Sequence, residues 1–303
     1  MSTSSPYLAS GLWGVLATPF HADSLEIDES SLRREVELFG TLAAAGLVVL
    51  GVFGESASLT PEEQERVVRV VSQSKGKECP IVIGISTRDT NKAIDSARAL
   101  IDASDGSPVS LMLQVNASDP NIVAEHLHRV HEATEAAIVV QDYPLISGVS
   151  IDSDQLILAI AKCSFVAAIK SEAPPTSVAI AELSRETSVP IFGGLGGIGL
   201  LDELMAGSSG AMTGFSHPEG LAKVLDAWND GGIEAATLAF QPWMPLVNFE
   251  AQARVGLGIR KASFCESGIF SSAAVRPPGR NMPDVLMPIL RQHLELVRIA
   301  SES

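Results

Sequence analysis

The sequence is short of cysteine. Cys79, Cys163 and Cys265 are three in 303 residues, far apart and outside any CxxC pair. That argues against a disulfide framework and nearly excludes a thiolate zinc site. It is also short of cations: 21 Lys and Arg against 36 Asp and Glu leave a net charge of −15. Nucleic acid and anionic membrane surfaces need clustered cations, so neither is an expected partner. No run of about 18 apolar residues exists, so no transmembrane helix is expected. Met1–Ser10 is Ser-rich and lacks the basic and apolar regions of a secretory signal. The expectation is a cytoplasmic protein.

What is present is a rhythm. Short apolar runs alternate with longer amphipathic stretches. The runs are Gly14–Ala17, Leu47–Phe53, Ile81–Ile85, Val109–Val115, Ala137–Gln141, Phe165–Ile169, Pro190–Phe192 and Ala211–Thr213. Continuous rather than alternating apolar character indicates strands buried on both faces, as in a parallel sheet. Between them, helices are expected at 27–45, from Thr60-Pro61-Glu62-Glu63 onward, and at 89–103, 120–134, 153–163, 174–187, 198–207 and 218–230. Thr60 followed by Pro61 and two acids has the composition of a capped helix start. Eight strand–helix repeats predict an α/β fold, a (β/α)8 TIM barrel over residues 1–230, in preference to an open doubly wound sheet. Residues 231–303 hold no strand candidate. They read as a C-terminal helical region of three helices, 232–249, 251–267 and 281–299.

In a barrel the chemistry belongs at the C-terminal ends of the strands. Those ends carry Thr18, Gly51-Val52-Phe53-Gly54-Glu55-Ser56, Arg88, Asn116, Gln141 to Tyr143, Lys170 with Glu172, the glycines of 193–199, and Thr213, Ser216 and His217. Of seven lysines, six (Lys75, Lys77, Lys92, Lys162, Lys223, Lys261) read as residents of polar helices or loops. Only Lys170 ends an apolar strand. A lysine desolvated there can attack a carbonyl and form a Schiff base, or it can simply snorkel or pair with an acid. The Gly51–Ser56 turn can hold a carboxylate on free N–H groups, or be a tight turn that caps the next helix. Gly194-Leu-Gly-Gly-Ile-Gly199 matches GxGxxG, but no acid ends the next strand to bind a ribose, so a dinucleotide is disfavoured. Gly194 and its neighbours read as an anion-holding loop or as a plain turn. Arg88 is a substrate clamp or a surface arginine. His126, His128 and His131 share one predicted helix, with His128 and His131 on one face. A solvated helix is preferred there over a metal site.

These residues resemble the N-acetylneuraminate lyase / dihydrodipicolinate synthase family of class I pyruvate-dependent aldolases. The resemblance rests on Thr18-Pro19-Phe20, on Gly51-x-x-Gly54-Glu55-Ser56 followed by Leu59-Thr60-Pro61-Glu62-Glu63, on Lys170 ending strand six, on Gly193-Gly194 and on Arg276-Pro277. It covers nearly the whole chain. It implies a barrel with a helical tail, assembled as a homo-oligomer (tetramer or dimer). It also implies an imine between Lys170 and the carbonyl of a small-molecule 2-oxo acid, with no metal and no cofactor.

Two departures stand out. The family places Thr or Ser between the motif glycines, where this chain has Val52 and Phe53. The family ends strand five with Tyr-Asn-x-Pro, where this chain reads Gln141-Asp142-Tyr143-Pro144. Gln141 thus takes the tyrosine's place, and a glutamine transfers no proton at neutral pH. Tyr143, two residues on, is the candidate substitute. Strand four ends Leu113-Gln114-Val115-Asn116, without the synthase's hydroxyl relay, and Ile146 stands where its arginine is expected. Both count against dihydrodipicolinate synthase activity itself. The resulting expectation is a lyase or aldolase acting on a 2-keto-3-deoxy sugar acid or a related compound. Lys170 is its nucleophile and Tyr143 its proton shuttle. Gly54, Glu55 and Ser56 form its carboxylate turn, with Phe53, Thr18 and Gly194 lining the site and Arg88 anchoring the distal end. Two alternatives stay open: a dehydratase or hydratase–aldolase using the same imine, and a non-catalytic ligand-binding barrel.

Overall fold

The computed structural model describes residues 7–302. Most of the Ser-rich Met1–Ser10 segment lies outside that range. The chain opens with β1 (Gly11–Val15), α1 (Glu29–Thr41), β2 (Gly46–Val49) and α2 (Pro61–Ser74), then β3 (Ile81–Ile85), α3 (Thr90–Ala103), β4 (Val109–Gln114) and α4 (Pro120–Thr134). It continues through β5 (Ala137–Asp142), a single turn α5 (Pro144–Ser147), α6 (Ser153–Ile160), β6 (Val166–Ser171), α7 (Thr176–Glu186), β7 (Ile191–Phe192), α8 (Leu200–Met205) and β8 (Gly210–Thr213). The helices α9 (Pro218–Phe240), α10 (Met244–Glu250), α11 (Gly256–Glu266) and α12 (Met287–Glu302) complete it.

All eight strands pair in parallel in the order β7-β6-β5-β4-β3-β2-β1-β8. A bridge between Gly193 and Ala211 closes the ends into a barrel. Each expected strand is present within a few residues of its apolar run. The acid caps are used as their chemistry requires. Asp28, Asp89 and Asp119 accept N–H groups at the starts of α1, α3 and α4, and Thr60 and Glu63 cap α2 reciprocally. Several boundaries differ from expectation, among them the starts of the last two helices, at Gly256 rather than 251 and at Met287 rather than 281. The first helix ends at Thr41 rather than residue 45, because Ala43 turns to φ 49°. Residues 218–230 and 232–249 are not two helices: α9 runs through to Phe240 with a break at Gly232 (φ 65°), and α10 then begins separately. The barrel boundary expected at residue 230 falls two residues before that break.

Strand parity builds the interior. One apolar layer fills the lumen: Trp13, Val48, Val82, Met112, Val139, Ala168, Phe192 and Met212, one from each strand. The intervening strand residues face outward and pack with the helices in the larger core. Two residues further along β5 and β6, the same inward parity reaches Gln141 and Lys170. The lumen therefore changes from apolar to polar at its C-terminal mouth.

Candidate active site

Every residue of β6 is buried, Lys170 included. Its Nζ lies 3.3 Å from Glu172 Oε2. Gln141 sits beside Lys170 in the sheet register, and its Nε2 donates to the same oxygen at 2.6 Å. Glu172 Oε1 accepts the Leu195 N–H at 3.3 Å, and the Glu172 N–H donates to the Asp142 carbonyl at 2.8 Å. One carboxylate is thus held between the lysine, an amide and a backbone donor. A buried ion pair needs such extra hydrogen bonds to offset the loss of solvation. Lys170 is both desolvated and paired.

The glycine run makes this possible. A Cβ on Gly194 would stand 2.2 Å from Glu172 Oε1, one on Gly193 1.7 Å from Glu203 Oε2, and one on Gly196 2.1 Å from an Arg260 terminal nitrogen. These glycines leave room for three charged side chains from elsewhere in the fold. The Gly196 N–H is committed to Thr213 Oγ1 at 2.7 Å. The glycines of the GxGxxG match thus make room for side chains, and the Gly196 N–H is not available to an anion. Glu203 is buried, accepts Thr176 Oγ1, and is pushed up by burial to about 7. Burial and the neighbouring Glu172 push Asp142 up to about 6, and its Oδ1 has no partner among the described residues.

Two adjoining chambers open at the mouth. The inner one, of about 200 Å³, is lined by Lys170, Glu172, Gln141, Tyr143, Phe53 and Arg260, among others. The outer one, of about 490 Å³, shares Val52, Gln141 and Leu257 with it and adds Ser56, Ser86, Gln114 and Arg88. Tyr143 lies just past the end of β5, at the start of α5, so it reaches the chamber that Gln141 reaches. Burial first, and then the charge of Glu172, raise its phenol above the ordinary tyrosine value. It therefore stays protonated at neutral pH and can act as an acid.

The other expected residues are distributed differently. Phe53 enters the inner chamber with its ring packed where a Gly214 side chain would be. Ser56 bonds Ser86 Oγ at 2.6 Å and faces the outer chamber. Thr18 donates to the Gly54 carbonyl at 2.7 Å and lines neither chamber, so it supports the turn from behind. Arg88 is exposed at the outer rim. Glu55, expected to help hold a carboxylate, is directed to the protein instead. It accepts from Lys261 Nζ and from the Arg276 N–H, and its own N–H donates to the Val52 carbonyl. A carboxylate so placed would repel an anion.

Lys261 is the clearest correction. Assigned by sequence to a polar helix, it is fully buried, paired with Glu55, bonded to the Ala274 carbonyl, and positioned 4.3 Å over the Phe20 ring. Its neighbour Arg260 was not singled out at all. The only signal in the sequence is a weak one: α11 lacks a clear polar face on which an Arg-Lys pair would sit in solvent. The histidines of α4 each take a different partner. His126 bonds Thr90, His128 bonds the Lys162 carbonyl, and His131 stacks on Phe165.

Comparison with known proteins agrees with this geometry. Residues 8–294 match the model of the dihydrodipicolinate synthetase family. The chain is 30% identical over 293 residues to L-2-keto-3-deoxyarabonate dehydratase of Azospirillum brasilense, covering 94% of this chain and 92% of that protein. It is 29% identical over 243 residues to 4-hydroxy-tetrahydrodipicolinate synthase of Methanothrix thermoacetophila, covering 78% and 80%. Among solved structures, dihydrodipicolinate synthase of Rhodopseudomonas palustris superposes with a TM-score of 0.87 at 26% identity, over 97% of this chain and 99% of that one. The chain belongs to the dihydrodipicolinate synthetase family and is an enzyme of its lyase and aldolase type.

Proposed function

We propose that the enzyme removes water from a 2-keto-3-deoxy sugar acid through an imine on Lys170. The observation that carries this is the placement of Glu172, 3.3 Å from the lysine nitrogen and held there by Gln141. When the C2 carbonyl arrives, Glu172 takes the ammonium proton and Lys170 adds to the carbon. Glu172 returns that proton to the departing hydroxyl, and the protonated imine forms. The imine makes the C3 protons acidic, and C3 is one bond from the imine carbon, within reach of the same carboxylate. Glu172 abstracts one, giving an enamine. The enamine expels the C4 hydroxyl, which leaves as water with a proton from the Tyr143 phenol. The proton on Glu172 then restores the phenol, and hydrolysis of the imine releases the dehydrated 2-oxo acid and Lys170. The similarity to the Azospirillum dehydratase supports the same reading.

Aldol cleavage, the reaction favoured by sequence, is the second reading. It is supported by Tyr143, whose phenol in the chamber of Lys170 can pass the C4 hydroxyl proton on to Glu172. Arg88 would anchor the distal end of the substrate from the outer rim in either case. One assay separates the two. With a 2-keto-3-deoxy aldonate as substrate, dehydration leaves no pyruvate for lactate dehydrogenase to reduce, whereas cleavage yields one pyruvate per turnover. Borohydride trapping with pyruvate tests the imine: an intact-mass adduct absent from Lys170→Ala is expected, and no wild-type adduct would overturn it.

We further place the enzyme in the cytoplasm as a homo-oligomer. Three free thiols support a reducing compartment, and no described helix is long and apolar enough to cross a membrane. Exposed Leu145, Ile146, Val178 and Met205 support burial against a second copy. Sedimentation velocity tests the assembly: a species of monomer mass alone would refute it.

A further inference from the structure

We infer that Arg260, delivered from the C-terminal helix α11, binds the C1 carboxylate of the 2-oxo acid. The inference rests on the imine reading and adds to it the direction in which the substrate lies. A carboxylate one bond from the imine carbon must find its partner in the chamber of Lys170. That chamber has two cations on its walls, Lys170 and Arg260. Arg88 and Arg276 line the other one. The turn that should supply hydroxyl donors carries Val52 and Phe53, and Glu55 brings a negative charge into its base.

Arg260 is built to take over that task. Its Nε donates to Glu250 Oε2 at 3.1 Å, and Glu250 is buried and held by the Ser216 hydroxyl. Its guanidinium carbon lies 5.7 Å from the centre of the Phe53 ring, and a terminal nitrogen occupies the space left by the missing Gly196 side chain. The adjacent Lys261 pins the same turn of α11 to Glu55. The terminal nitrogens have no protein partner among the described residues, so a fork of donors is presented to the chamber. Such a fork matches a carboxylate in both geometry and charge. Phe53 then has a function as well: it replaces a hydroxyl donor with an aromatic face that carries the arginine. With C1 at Arg260 and C2 at Lys170, the hydroxylated tail of the substrate points past Gln141 into the outer chamber of about 490 Å³, toward Ser56, Ser86 and Arg88.

The test compares pyruvate with methyl pyruvate, which keeps the carbonyl and lacks the anion. Half-saturation of borohydride trapping is measured for wild type, Arg260→Lys and Arg260→Gln. Wild type is expected to prefer pyruvate. Arg260→Gln should raise its half-saturating concentration by roughly 10- to 100-fold, the worth of a charged hydrogen bond, leave methyl pyruvate within about 2-fold on the same scale, and be partly rescued by Arg260→Lys. An unchanged pyruvate value, or equal weakening of both ligands, would mean that Arg260 only props the fold and would overturn the inference. Calorimetric titration of pyruvate into Lys170→Ala, which forms no imine, separates this claim from the imine itself. Binding lost on adding Arg260→Gln supports the anchor even if no adduct ever forms, and equal binding refutes it.

Discussion

The protein buries two lysines, and they do opposite things. Lys170 and Lys261 are both withdrawn from solvent, and each faces a glutamate. Lys261 is fully committed. Glu55 and the Ala274 carbonyl accept from its ammonium, and the Phe20 ring lies beneath it. It joins the turn after β2 to α11. Among the described residues Lys170 has one partner, Glu172, and it opens onto a chamber. Burial alone therefore does not make a lysine reactive. What distinguishes the two is uncommitted donor capacity on a cavity wall, together with a neighbour able to move a proton.

The strongest way to break this comparison is to remove each lysine in turn. Lys170→Ala should lower turnover on the order of 10³-fold or more and abolish the trapped adduct, with a smaller stability loss than at Lys261, because Glu172 keeps its Gln141 and Leu195 donors. Lys261→Met should do the reverse. It strands Glu55 without its cation, a loss of about 3–5 kcal/mol. Protein that still folds should give the adduct, and denaturant titration beside intact-mass trapping reads both effects. If Lys261→Met folded normally and lost the adduct, the division of labour would be wrong. Next in size is Glu172→Gln, which keeps the shape of the site and removes its base. Turnover should fall about 10²–10⁴-fold, and the solvent deuterium exchange of bound pyruvate's methyl protons should slow with it.

Gly194→Ala tests the packing behind that base. Gly194 has a negative φ of −138°, and an added methyl there would meet Glu172 first. Displacing a catalytic group by about 1 Å can cost on the order of 10²-fold in rate, with a stability loss of about 1–3 kcal/mol. Wild-type kinetics in this variant would show that Glu172 need not stay where it is.

The same contrast explains what could be read from the chain before its structure. The strands were visible because a parallel barrel buries both faces, which writes continuous apolar runs into the sequence. Lys170 was visible because it interrupts such a run. The start of α2 was visible because Thr60, Pro61 and Glu63 are neighbours in the chain. Lys261 and Arg260 were not, because a charged residue on a helix reads as exposed unless its partner is known. Their partners Glu55 and Glu250 come from a distant loop and a separate helix. Nor could spacing reveal that Gly194 makes room for Glu172, since the match to a phosphate-loop pattern is satisfied by glycines of any purpose. The net charge of −15 misled least. It excludes polyanions, yet an anionic substrate needs only the few short-range cations of a dry chamber, which outweigh screened surface charge.

The smallest expected effect concerns the acid that shares Lys261. Glu35 is wholly buried. Burial pushes it up to about 8 against the Ala17 N–H and the Lys261 charge, and its Oε2 has no partner among the described residues. Between the ordinary glutamate value of 4.5 and about 8, the folded protein holds a proton that the unfolded chain has released. Linkage then makes stability fall as pH rises through that window. Asp142, raised to about 6, and Glu203, raised to about 7, contribute with the same sign. Asp28 acts oppositely, but only below its ordinary value: hydrogen bonds from Ser271 and Ser31 overcome its burial and hold it at about 2. His217, lowered by burial to about 4, acts oppositely only up to its ordinary 6.5, so wild type should melt at a lower temperature at pH 8 than at pH 6.5. Glu35→Gln preserves an acceptor for Ala17 and removes the titration, so it should narrow that gap by about 2 °C or more. Scanning calorimetry at the two pH values measures it. An unchanged gap would mean that Glu35 stays ionised beside Lys261, and the enclosed lysine would then be neutralised by two carboxylates rather than one.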